Sequence, residues 1–86
     1  MKLYNGGDYS ALLQTMSSSG NVTHTGTTSL RINGGCCVNV FDQKGYKGNK
    51  KLFCNDEKNL GLFKLNAHTW NDKISSVEIP PPSLNG

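Results

Sequence analysis

The chain has 86 residues, 35% of them hydrophobic and 17% charged, with a formal net charge of +3. That length holds one domain with a modest core, and apolar runs of at most two or three residues exclude a membrane-spanning helix. Asn, Gly, Ser and Thr make up 34 of the 86 residues against three Pro, which speaks for short elements joined by tight turns and against a helical bundle.

The opening stretch, Met1-Lys2-Leu3-Tyr4-Asn5-Gly6-Gly7, has no apolar signal core, so a cytoplasmic location is expected. Strand-like alternation appears in Arg31-Ile32-Asn33 and in Cys37-Val38-Asn39-Val40-Phe41, on either side of a break at Asn33-Gly34-Gly35. It returns in Lys50-Lys51-Leu52-Phe53-Cys54 and in Ser76-Val77-Glu78-Ile79. Residues 55–70 read instead as a short helical turn or an irregular crossing, and the run after Ile79 is too rich in Pro to extend a ladder.

Charge is uneven. Residues 1–43 are neutral, and the whole +3 comes from seven Lys against four acids in residues 44–86. Lys44, Lys47, Lys50 and Lys51 fall close together, but Arg31 is the sole arginine, so no nucleic-acid partner is expected. The cluster reads as a solvated hairpin whose edge lysines discourage strand pairing. Three cysteines, Cys36, Cys37 and Cys54, make a poor disulfide framework and are expected to be reduced and structural. Neither a Cys54–His68 nucleophile and base nor zinc ligation by cysteines with His24 and His68 fits a usual pattern, so no catalysis is expected. Asn21-Val22-Thr23 is a glycosylation sequon read as chance.

The two halves repeat. Tyr4-x-x-x-x-Tyr9-x-Ala11 matches Phe41-x-x-x-x-Tyr46-x-Gly48 at an offset of 37, and Thr28-Ser29-Leu30-Arg31-Ile32 matches Ser75-Ser76-Val77-Glu78-Ile79 at an offset of 47. The ten extra residues of the second copy fall in the irregular stretch. Two aromatics separated by four residues bracket a tight hairpin, and Gly48 permits a positive φ where Ala11 would strain. Two units of about four strands each make a two-sheet sandwich.

Asn71-Asp72-Lys73-Ile74-Ser75-Ser76 carries a carboxylate and hydroxyls directly before a strand. One such loop has too few oxygens for a hard cation, but two facing loops could complete a shell. With the aromatic hairpin Phe41 to Gly48, this string resembles the βγ-crystallins, in particular single-domain, calcium-binding, microbial-type members, over residues 2–79. The resemblance implies an all-β sandwich of two Greek-key motifs: a domain at 1–80, with Greek keys at 1–34 and 36–79 and a Pro-rich tail at 81–86. It also implies a non-enzymatic structural or stress protein stabilised by calcium (Ca2+). A calcium-dependent adhesion or homodimer-forming module, or a member that has lost calcium binding, stands as the alternative.

As the resemblance implies, each loop gives one ion a hydroxyl from its fifth position and a carbonyl from its third. The second position of the other loop and a hairpin carbonyl complete the set. The first-half string aligns as His24-Thr25-Gly26-Thr27-Thr28-Ser29. One site would then combine Thr28, the Gly26 carbonyl, Asp72 and the Asn5 carbonyl. The other would combine Ser75, the Lys73 carbonyl, Thr25 and the Asp42 carbonyl. Only the first holds a side-chain carboxylate, so it is expected at roughly 10⁻⁵–10⁻³ M, and the second is expected to be weaker or vacant.

Overall fold

A computed structural model describes residues 1–32 and 37–79. The Asn33-Gly34-Gly35 break, Cys36 and the tail from residue 80 lie outside the described residues. Among the described residues nine short strands form, β1 (Lys2–Gly6), β2 (Ser10–Thr15), β3 (Gly20–Asn21), β4 (Ser29–Arg31), β5 (Val38–Gln43), β6 (Lys47–Phe53), β7 (Lys64–Leu65), β8 (His68–Thr69) and β9 (Ser76–Glu78), with a 3-10 turn at Leu60–Leu62. No helix among the described residues is long and apolar enough to cross a membrane.

The strands pair antiparallel into a sheet of order β2-β1-β4, a sheet of order β3-β9-β5-β6 and a small β7-β8 ladder. Period-2 sequence explains the faces: in β5, Val38 and Val40 are buried and Asn39 is half-exposed. In β1, Leu3 is buried between exposed Lys2 and half-buried Tyr4. Leu3, Leu30, Val38, Val40, Ile74 and Val77 join Leu60 and Trp70 in one core between the sheets.

Each half hydrogen-bonds into the sheet of the other. β3, from the first half, pairs with β9 through Gly20↔Val77 and Asn21↔Ser76. In return, Leu30 and Glu57 exchange two backbone bonds of 2.9 Å. Two hydrogen-bonded exchanges of this kind tie the halves together.

Three expectations need correction. Cys37 and Cys54 are joined in a disulfide, not reduced. The reason is register: Val38 lies opposite Phe53, so the next residues outward, Cys37 and Cys54, also face each other, with Cα atoms 4.0 Å apart. The 55–70 stretch is more regular than expected, since it contains the β7-β8 hairpin as well as the 3-10 turn. The strand read at Arg31-Ile32-Asn33 begins earlier, at Ser29, and ends at Arg31.

Lys47, Lys50 and Lys51 lie on β6, an edge strand among the described residues, while Lys44 lies in the turn before it. Lys51, however, turns inward, its Nζ 5.0 Å from the centre of the Phe63 ring and 5.4 Å from that of Phe53. There it caps the T-shaped Phe53–Phe63 pair instead of guarding the edge.

Candidate metal centre

The two aromatic hairpins are built alike. Tyr4–Tyr9 and Phe41–Tyr46 are both T-shaped pairs with ring centroids 5.9 Å apart. Tyr9 and Tyr46 sit at φ 59° and 60°, and the positions two residues on, Ala11 and Gly48, at 57° and 82°. Ala11 therefore carries the left-handed strain that glycine avoids in the second hairpin. Both turns are pinned by the opposite half: Asp8 N donates to Lys58 O (3.0 Å), and Gly45 N donates to Asn21 Oδ1 (2.9 Å).

Each loop hangs from its hairpin by the same bond. Thr28 N donates to Tyr4 O and Ser75 N to Phe41 O, both at 2.8 Å. This sets Thr28 beside the residue that precedes Asn5 and Ser75 beside the residue that precedes Asp42. The loops then meet, for Asp72 N donates to Thr27 O at 3.0 Å. Asp72 itself holds φ 61°, a posture Asp tolerates better than most residues. On the other side, a Cβ placed on Gly26 would stand 3.1 Å from Asn5 Oδ1. Backbone bonds and contact thus bring Asn5, Gly26, Thr28 and Asp72 into one neighbourhood, with Asp72 supplied by the second half.

The second set is gathered less completely. Ser75 and Asp42 lie together through the Phe41 bond, and Lys73 N closes a turn on Trp70 O at 3.2 Å. Thr25, the counterpart of Asp72, lacks the positive φ. Among the described residues it makes no counterpart bond to Ile74 O. The Asp42 carboxylate is held elsewhere: Oδ1 accepts from Asn49 N and Oδ2 from Asn49 Nδ2, each at 2.8 Å.

The donor chemistry suits a hard cation. The first set offers one carboxylate, one hydroxyl and carbonyl oxygens. Among the described residues neither the Asp72 carboxylate nor the Thr28 hydroxyl is taken by another protein group. No three His, Cys, Asp or Glu side chains gather among those residues, so a cation there would rest on neutral oxygens around one acid. Asn71 Oδ1, which the sequence reading left without a role, is a buried acceptor with no partner among the described residues. Its position at the head of the Asp72 string was the available signal. Cys54, imagined with His68 as a nucleophile, is tied up in the disulfide.

The chain has the βγ-crystallin fold. A βγ-crystallin domain from Clostridium beijerinckii superposes with a TM-score of 0.71 at 22% identity, covering 91% of this chain and 93% of that one. A βγ-crystallin domain from Flavobacterium johnsoniae does so with a TM-score of 0.74 at 20% identity, covering 92% and 91%. The N-terminal domain of protein S matches with a TM-score of 0.72 at 11% identity, covering 92% of each chain. No family model matches the chain, and no curated protein matches it in sequence.

Proposed function

We propose that this chain is a non-enzymatic calcium-binding module, in which one ion bridges the two halves and stabilises the fold. The observation that carries this reading is the Asp72 N to Thr27 O bond, which seats the carboxylate-bearing loop of the second half against Thr28 and Gly26 of the first. Asp72 and Thr28 would hold the ion by their side chains, Gly26 and Asn5 by their carbonyls, with water completing the shell. The Ser75, Lys73, Thr25 and Asp42 set, with no free carboxylate, would bind more weakly or not at all. A clostrillin double mutant has been solved in complex with nickel, but it carries two serine-to-histidine replacements and so lends no support to calcium here.

The physiological role that follows is structural, in the manner of a stress protein made more stable by calcium. The Cys37–Cys54 bridge favours an oxidising compartment over the cytoplasm.

Calcium titration monitored by Trp70 emission and by the thermal midpoint tests the reading. Trp70 is the only tryptophan, is 2% exposed and lies two residues before Asp72. At a hundredfold excess of calcium over the dissociation constant, linkage gives ~2.7 kcal/mol of added stability. Asp72→Ala should remove most of it. No response in either signal at millimolar calcium would overturn the reading.

A further inference from the structure

The two hairpins differ in one respect that bears on the ion. In the second, the Asp42 carboxylate folds back over Gly48 and is clasped by Asn49 N and Nδ2. A Cβ at Gly48 would collide with Asp42 Oδ1, so the clasp needs glycine there for space as well as for its φ of 82°. The first hairpin cannot build this clasp. Ala11 stands where Gly48 does and carries the Cβ that Gly48 lacks, while Leu12 replaces Asn49 and offers no side-chain donor. Among the described residues the Asn5 amide makes no hydrogen bond to the protein. It rests instead against Gly26, which has no Cβ to push it away, whereas the counterpart of Gly26 is Lys73.

We infer that Asn5 Oδ1 is an additional side-chain ligand of the first site, and that Ala11, Leu12 and Gly26 are the positioning residues that release it to the ion. The inference rests on the calcium reading above. It explains how a site with a single carboxylate gathers a fuller oxygen shell, and why Asp42, though charged, adds no carboxylate to the second site. The exchange is steric and local: the same side-chain position is a ligand or a hairpin clasp according to residues 11 and 12 or 48 and 49.

Calorimetric titration of the full chain with calcium chloride tests it, with the calcium-free thermal midpoint as the check on folding. Asn5→Asp places a second carboxylate at the ion and should tighten binding about tenfold or more, since affinity in such sites follows ligand charge. Asn5→Ala should weaken it several-fold. The double variant Ala11→Gly with Leu12→Asn rebuilds the clasp on Asn5 and should weaken binding to the same degree without touching any ligand. If Asp72→Ala abolishes binding while all three Asn5-directed variants leave the affinity unchanged, the Asn5 assignment is overturned and the calcium reading stands. If the unmodified chain gives no calcium heat, both fall together.

Discussion

Ser29 and Ser76, 47 residues apart, close the two hairpins with the same pair of bonds. Ser29 Oγ accepts from Tyr9 N (3.1 Å) and donates to Gly6 O (2.6 Å). Ser76 Oγ accepts from Tyr46 N (3.0 Å) and donates to Gln43 O (2.6 Å). Both serines are wholly buried. One hydroxyl thus holds each folded-over aromatic turn to the strand that ends its half.

Ser29→Ala and Ser76→Ala should each cost about 2 kcal/mol, because a carbonyl and an N–H lose their partner together where water reaches them poorly. For a domain of this size that lowers the thermal midpoint by roughly 8–16 °C. The symmetry of the two bonds makes the costs alike. Urea unfolding of both variants checks this, and a cost near zero at either position would show that the hydroxyl does not hold its hairpin.

Thr27 breaks the symmetry in the core. It is fully buried, and its hydroxyl has no partner among the described residues. Its counterpart is Ile74, equally buried and wholly apolar. Thr27→Val keeps the shape and removes the orphaned hydroxyl, so it should stabilise the fold by about 1 kcal/mol. The backbone bond from Asp72 to Thr27 O is untouched by the change. A urea midpoint that rises with an unchanged slope is the expected result; a fall would mean that the hydroxyl has a partner in solution.

The Cys37–Cys54 bridge closes a loop across 17 residues. In the chain-entropy account such a loop contributes about 3 kcal/mol by restricting the unfolded chain. Thiol titration in denaturant should find one reactive thiol per chain without reductant and three after reduction, and reduction should lower the urea midpoint accordingly. Three thiols at the outset would disprove the bridge.

The sequence was most readable where the physics is local. Four residues between two aromatics suffice to bracket a hairpin, and both T-shaped pairs form where that spacing puts them. Gly48 announced its positive φ by being glycine, while Ala11 adopts the same conformation at a cost. What depends on distant register was hidden. The disulfide follows from Val38 lying opposite Phe53, and an odd cysteine count pointed the other way. The exchange of β3 into the second sheet rests on two residues, Gly20 and Asn21, too few for any period to show. In the candidate site, residue types were legible in the Asp72 string, but the clasp on Asp42 was not, because it joins two residues across a bulged ladder.

The same limit shapes the last prediction. Thr25 stands where Asp72 does, and Thr25→Asp supplies the second donor set with the carboxylate it lacks. Ser75 and Asp42 already lie together at the Phe41 hairpin. A second, tighter calorimetric step should appear, about tenfold stronger than any second step of the unmodified chain, since charge dominates the affinity of such oxygen shells. The backbone at Thr25 lacks both the left-handed φ and the cross-loop bond that Asp72 has, so the new carboxylate must be drawn in by the ion itself. Part of the Coulomb gain is then spent on ordering the loop, and the engineered site should remain weaker than the Asp72 site. Stoichiometry that rises from one towards two calcium ions per chain supports this; a stoichiometry fixed at one would show that the second loop cannot present its oxygens to an ion even when charged.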